Sequence, residues 1–154
     1  YAHDTSYTID TITWARKRVA ATFGRHDGFV SSIHLDDAAA AVVSALKVPA
    51  GTYNVGDDEP VRRRAYFDAL ATALGAPSPW LPPAWMARLF GSVGETIGRS
   101  HRLSNAKFKR ASGWVPRHPS VVEGWRSVVA EMSVQPRQGA LSRRTDLSAP
   151  PSHS

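Results

Sequence analysis

Cysteine is absent from the 154-residue chain. Its absence excludes a disulfide framework, a thiol nucleophile, thiolate-held zinc and iron–sulfur clusters. Long apolar runs are absent as well. The longest nearly apolar stretch, Ala38 to Leu46, falls far short of the roughly 20 residues that span a bilayer. There is no internal repeat. No His-Glu-x-x-His pair marks a zincin helix, and no Gly-x-Ser-x-Gly elbow marks a hydrolase nucleophile. The opening residues, Tyr1-Ala2-His3-Asp4, are neither a signal peptide nor a start methionine. The expectation is a soluble, cytoplasmic chain that begins inside a longer protein and makes no membrane contact.

What is present is enough for one ordinary domain with a real core. Its charge is uneven. Lys and Arg number 19 against 13 acidic residues, for a net charge of +6. Before residue 99 there are nine basic and ten acidic side chains; from 99 onward there are ten and three. The excess belongs to the C-terminal third. Such a third reads either as a polyanion site or as a solvated helix face with a charged tail, and the second is the simpler reading.

Residues 5–20 read as a helix capped by Thr5 or Ser6, with Ile9, Ile12 and Val19 on one face. Phe29 to Ile33 reads as a strand, and Asp36-Asp37 begin a second helix carrying Ala39, Val42, Val43 and Leu46. Thr52 to Val55 reads as a short strand between Gly51 and Gly56. Phe67, Leu70, Ala71 and Leu74 fall at helical spacing, with Gly75 as the stop. A proline-rich loop (Pro77, Pro79, Pro82, Pro83) leads to a short helix around Trp85 to Phe90. Ser104 can cap another helix, ended by Gly113. Ser120-Val121-Val122-Glu123 is a capping box opening the last helix, with Val122, Trp125, Val129 and Met132 as its stripe. Residues 133–154 have no apolar period and read as a disordered tail, leaving residues 1–132 as the folded part. Strand, helix, strand, helix, then helices predicts an α/β fold with a parallel pair of strands.

Few residues offer chemistry. His34, Asp36 and Asp37 form the densest polar cluster beside a strand end, where α/β folds place ligands. The plainer reading is a helix cap and a histidine bonded to backbone. Gly91-x-x-Gly94-x-x-x-Gly98 lacks the preceding strand of a dinucleotide loop and reads as a flexible connection. Arg62-Arg63-Arg64 is either an anion contact or, more simply, a solvated first turn. Arg99, His101, Arg102, Lys107, Lys109 and Arg110 make the denser basic cluster, open to phosphate or to solvent.

Four blocks together resemble a known family. Phe29-Val30-Ser31-Ser32-Ile33-His34-Leu35-Asp36-Asp37-Ala38-Ala39 is similar to the "F-I-H-V-D-D-A" segment of the extended short-chain dehydrogenase/reductases, the NAD-dependent epimerase/dehydratases. Gly51-Thr52-Tyr53-Asn54-Val55-Gly56-Asp57-Asp58-Glu59-Pro60 resembles their "G-x-Y-N-V-G-D-x-E-P" turn. Ser104-Asn105-Ala106-Lys107 with Gly113-Trp114-Val115-Pro116 resembles "S-N-A-K … G-W-x-P". Pro119-Ser120 and Glu123-Gly124 resemble the closing "P-S-x-x-E-G". The blocks occur in the family's order across residues 29–124, and Tyr1 falls where the family's "Y-G-P-G" turn would begin, with only the Tyr kept.

The resemblance implies an extended Rossmann-like fold of which residues 1–132 are the C-terminal, substrate-binding part. It implies NAD or NADP as cofactor, a small-molecule substrate, and hydride transfer at a sugar-like or smaller carbonyl or hydroxyl carbon. It also implies that the N-terminal Rossmann half is missing. The family's base is a tyrosine whose pKa a nearby lysine lowers, and none of Tyr1, Tyr7, Tyr53 or Tyr66 has Lys four residues later. No catalytic residue is therefore assigned, and the chain alone is expected to be inactive. Tyr1, His34 and Arg102 are the expected substrate-lining residues, with His34 orienting the strand end. Arg102 matches one of two family arginines that meet a nucleotide diphosphate; Val30 stands at the other, which favours a smaller substrate. Relatives often carry Thr and Glu as a helix cap where this chain has Arg62 and Ala65. No metal is expected. A half-enzyme exposes apolar surface, so self-association into a homo-oligomer is expected. The rival readings are a non-catalytic fragment or pseudoenzyme, and a basic nucleic-acid-binding module.

Overall fold

The computed structural model describes residues 1–2, 5–20, 22 and 24–146. Helix α1 (Ser6–Arg16) starts at Thr5, whose Oγ1 accepts the Thr8 N–H. It stops short of residue 20 because Arg18 adopts a left-handed φ of 63°. Its buried face is Thr8, Thr11, Ile12 and Ala15. Val19 leaves the helix and forms an isolated parallel bridge to Trp80.

The predicted parallel pair is not formed. Strand β1 (Phe29–Val30) pairs antiparallel with β2 (Val61–Arg62), in register Phe29 to Arg62 and Val30 to Val61. The turn through Asp57 to Pro60 sends the chain back along β1. Thr52 to Val55 has no ladder partner among the described residues, so it is extended chain rather than strand. Its Tyr53 ring instead packs edge-on against Phe108. Besides the Val19–Trp80 bridge, a parallel-type contact joins Tyr1 to the segment after β1: Tyr1 donates its N–H to Ile33 O (2.8 Å) and accepts the Leu35 N–H (3.0 Å). That is how one residue brackets another in a parallel ladder.

Helix α2 (Leu35–Ala45) is capped by His34, not by either aspartate. Helix α3 (Arg63–Ala73) buries Tyr66, Phe67, Leu70 and Ala71, and Gly75 follows it at a φ of +62°. A 3-10 turn (Ala84–Phe90) runs directly into α4 (Gly91–Gly98). The glycine-rich segment read as a flexible connection is therefore helical. Its Gly94 lets the two pieces close, because a Cβ there would run into Ala87 O. Helix α5 (Ala106–Ser112) ends at Gly113 in the left-handed region.

Helix α6 (Val121–Asp146) opens at Ser120. Half of the capping box forms: Glu123 accepts both the Ser120 N–H (3.0 Å) and the Ser120 Oγ–H (2.7 Å). The buried face is Val121, Trp125 and Val128, one position off the expected stripe, because Trp125 docks edge-on to Tyr66 of α3. The helix continues through residues expected to be a disordered tail. Once a helix is nucleated, each added residue gains a bond at little further cost. Residues 147–154 of that tail lie outside the described residues.

The main core joins α1, α3 and α6 through Ile12, Ala15, Phe67, Leu70, Val121, Trp125 and Val128. A smaller one joins Ala41, Phe108 and Trp114, with Ile33, Tyr53 and Val55 packed against it. The segment between β1 and α2 runs between the two and carries His34. Among the described residues no helix is long and apolar enough to cross a membrane.

Candidate functional site

The site is built where β1 hands over to α2. Tyr1 lies along this segment on one side, and Asp57 donates its N–H to Ser32 O (2.8 Å) on the other. Ser32 Oγ in turn donates to Asp57 Oδ2 (2.7 Å). His34 Nδ1 accepts the Asp36 N–H (3.3 Å) and so satisfies one orphan donor of α2. In a neutral ring that acceptor role puts the proton on Nε2, which is buried and has no partner among the described residues. His34 is 1% exposed.

Aromatic rings enclose it. Tyr1 meets His34 edge-on at 5.5 Å and tilts over Trp125 at 5.0 Å. His118 lies 4.1 Å from His34, ring centroid to centroid. Asp37, the second residue of the sequence pair, binds none of α2's own start. Its carboxylate takes the Arg117 N–H (2.7 Å), the His118 N–H (3.0 Å) and His118 Nδ1 (2.9 Å). One buried carboxylate thereby pins the loop leading into α6.

The electrostatics follow from burial. Burial, then His118, holds His34 below its ordinary value. Burial pushes the Asp37 carboxyl up, but the Arg117 and His118 donors more than offset it, leaving it below the usual range. For Asp57 burial wins: its carboxyl is pushed up to about 6 despite the Ser32 hydroxyl. Burial, then the negative charges of Asp57 and Asp37, raises the Tyr1 phenol well above its ordinary value. Tyr1 is therefore a neutral phenol at physiological pH, not a base.

Tyr1 and His34 are thus brought into ring contact. Arg102 is not with them. It lies toward the start of the same strand, its guanidinium 5.1 Å from the Phe29 ring centroid, with Arg62 at the same distance from that ring. Arg102 is exposed and lines a cleft of about 310 Å³ with Asp58, Pro60, Leu103, Ser104 and Asn105. Asp58 explains why two sequence blocks travel together. It accepts from Asn105 Nδ2 (2.7 Å) and from Lys109 Nζ (2.9 Å), clamping α5 to the Gly56–Pro60 turn.

Arg63 is the residue sequence reasoning missed most completely. Read as part of a solvated first turn, it is instead buried. Its Nη1 donates to Arg25 O and Gly98 O, and its Nη2 to Ile97 O and Arg99 O, at 2.9–3.3 Å. Arg62 and Arg64 on either side are exposed. Nothing local in an Arg-Arg-Arg run says which one turns inward. For Asp57 the signal was present, in the second block of the resemblance, but it carried no role.

Two residue groups have the composition of a metal site: His34, Asp37 and His118, and His34, Asp36 and Glu131. In the first, Asp37 and His118 Nδ1 already bond one another, and the His34 cap places a proton on its remaining nitrogen. A dinucleotide does not fit the described residues. The strands are two residues long, no strand precedes Gly91–Gly98, and Gly94 is filled by Ala87 rather than open to a phosphate.

No family model matches the chain. Over 100 residues it is 37% identical to a 3-diazoavenalumate denitrifying reductase of a Streptomyces species, which covers 63% of this chain and 33% of that protein. Among solved structures it superposes on human epimerase family protein SDR39U1 (isoform 2), determined with NADPH, at a TM-score of 0.75 and 13% identity. That match covers 84% of this chain and 45% of the other. It also superposes on the UDP-glucuronic acid 4-epimerase of Bacillus cereus, in complex with NAD, at 0.57 and 13%, covering 80% and 37%. The chain spans one third of that curated relative and less than half of each of these structures. Its fold is that of part of a Rossmann-type epimerase, and its structural neighbours are NAD(P)-dependent epimerase and reductase proteins.

Proposed function

From that shared fold, we propose that the chain is the C-terminal, substrate-side part of an NAD(P)-dependent oxidoreductase acting on a small carbonyl or hydroxyl compound. The observation that carries the reading is the 37% identity to a reductase over 100 residues, in a chain of epimerase-type fold. The cofactor is taken by a nucleotide-binding unit that these residues do not make. Residues 1–132 then form the substrate side. Arg102 is its exposed anion contact, while Tyr1 and His34 shape the wall behind it and transfer no proton.

An open apolar face supports a further unit. On α2, Val42 is 66% exposed, and Leu46 just past its end 83%, beside a groove of about 230 Å³ lined by Ile33, Ala38, Ala41, Val42, Ala45 and Val55. An exposed apolar patch of this kind marks a surface that another unit covers. Without that unit the isolated chain self-associates through the same face.

Two measurements test the reading. The purified chain should neither bind NADPH nor oxidise it with carbonyl substrates. A chimaera that joins residues 1–132 to the remaining two thirds of the Streptomyces reductase should bind NADPH and turn over a carbonyl compound. Hydride transfer by the chain alone would refute the dependence on a second unit. A folded, NADPH-binding chimaera inert toward every carbonyl tried would favour the non-catalytic rival. Of the basic residues in 99–126 that the nucleic-acid rival would use, Lys107 donates to Thr52 O and Lys109 to the Asp58 carboxylate.

A further inference from the structure

Arg63 does more than hold α3 in place. The four carbonyls it binds belong to Arg25, Ile97, Gly98 and Arg99. It therefore draws two distant stretches of chain together, and each carries an exposed arginine. Between them lies a cleft of about 350 Å³, lined by Gly24, Arg25, Ala84, Ala87, Arg88, Gly98 and Arg99. The floor is made of small residues pressed close. A Cβ on Gly24 would meet Gly98 O at 2.5 Å and Arg63 Nη1 at 2.6 Å, and Gly24 sits at a φ of +100°. The third arginine, Arg88, comes from the 3-10 turn.

The three rim arginines are not equivalent. Arg25 is bound through two bonds to Asp27, at 2.9 and 2.8 Å, so its charge is already answered. Arg88 and Arg99 have no carboxylate partner among the described residues. Two exposed guanidinium groups beside the small apolar residues Ala84, Ala87 and Gly98, with no carboxylate bonded to them among the described residues, suit a ligand with one anionic end and an apolar body. Guanidinium groups bind carboxylates with charge-assisted, often bidentate bonds. Burying the apolar body supplies the rest of the affinity.

We propose that this cleft binds an organic carboxylate, its carboxylate between Arg88 and Arg99 and its apolar body on the Ala84–Ala87 floor. None of its lining residues is Tyr1, His34 or Arg102. It rests only on this chain's residues and stands whether or not the chain serves a hydride-transfer enzyme.

The test is a calorimetric titration of the full chain with 3-phenylpropionate, its methyl ester, and inorganic phosphate. The acid should bind saturably, and the ester and phosphate at least about tenfold more weakly. The double variant Arg88→Ala/Arg99→Ala should weaken the acid by at least about tenfold. Ala84→Leu fills the floor without touching a charge and should do the same. Arg126→Ala, at an exposed arginine outside the cleft, should leave the affinity unchanged. Both arginines and Ala84 are exposed, so thermal unfolding of the variants should match the parent. Absence of saturable binding overturns the proposal. So does equal binding of ester or phosphate, an arginine effect without an Ala84→Leu effect, or an equal loss on Arg126→Ala.

Discussion

Arg63 and Asp57 are both buried charges within the first two-thirds of the chain, and their surroundings treat them differently. Around Arg63 the backbone comes to the charge. Both Nη atoms give two bonds each to carbonyls, those of Ile97, Gly98 and Arg99 at the end of α4 and that of Arg25 in a distant loop, and only Nε lacks a partner. Around Asp57 the charge is tolerated rather than served. Oδ2 takes the Ser32 hydroxyl, but Oδ1 has no partner; nor do Tyr1 Oη and His34 Nε2 nearby, nor Trp125 Nε1. A buried polar atom left unmatched typically costs about 1–3 kcal/mol. Four of the six such atoms among the described residues gather around the strand end that the candidate site occupies, while Arg63 Nε and Trp114 Nε1 lie apart from it. Active regions commonly concentrate such costs while their scaffolds do not.

The largest test of that contrast is Arg63→Leu. It strips four carbonyls of their donor and removes a buried side chain's four bonds, and should cost about 3 kcal/mol in denaturant unfolding. Arg63→Lys keeps the charge but cannot span four acceptors, and should recover only part of the loss. If Arg63→Leu is neutral, the node is not the organiser described here. Asp37→Ala comes next. It releases the Arg117 and His118 amides, for an expected loss of about 2–3 kcal/mol. Hydrogen exchange should accelerate at those two amides before it does elsewhere.

These two residues also mark how far the sequence could be read. The helices were legible because their signals are local: Thr5 as cap, Phe67-Leu70-Ala71 as stripe, Gly113 as stop, Glu123 reaching back to Ser120. The order of the four blocks pointed to the fold that the structural superpositions share. What was not legible depended on distance along the chain. Arg63 turns inward because Arg25 and Ile97 to Arg99 present carbonyls to it, and no local pattern encodes that. The same holds for His34 displacing the aspartates as cap, since Asp37 is claimed by residues 80 positions away. The antiparallel pairing of β1 with β2 is likewise decided by the turn through Pro60, whereas the strand reading of Thr52–Val55 rested on composition alone. At the candidate site, Tyr1 and His34 were placed together by resemblance. Arg102 proved to lie with Phe29 and Arg62 instead.

A middle-sized effect probes the packing at the site itself. Gly124 faces the Tyr1 hydroxyl so closely that a Cβ would overlap it. Gly124→Ala should destabilise by about 1–3 kcal/mol, as overpacked sites do. Tyr1→Phe removes that hydroxyl, which has no partner among the described residues, and should be close to neutral alone. Combined, the two substitutions should cost less than Gly124→Ala by itself. Strict additivity in the double-mutant cycle would show that the clash lies elsewhere.

The smallest effect is the one that separates the two nodes by pH. The Asp57 carboxyl has an ordinary value of 3.8 and is pushed up to about 6 in the fold, chiefly by burial. A group raised on folding contributes stability that is fully present below its unfolded value and is lost as pH rises through its folded value. The fold therefore prefers Asp57 protonated and is penalised increasingly between about pH 4 and 6. Asp57→Asn keeps an acceptor for the Ser32 hydroxyl and cannot ionise. At pH 4 the variant and parent should unfold alike. The variant should then gain as pH rises and level off above 6. At pH 7 the gain should be of order 1 kcal/mol, allowing for the solvent screening that remains around the carboxyl. His34 and Asp37 titrate with the opposite sign, since both are held below their ordinary values, but they are common to both proteins and cancel in the difference. A variant no more stable than its parent at pH 7 would mean that Asp57 is served as fully as Arg63, and the contrast between the two nodes would disappear.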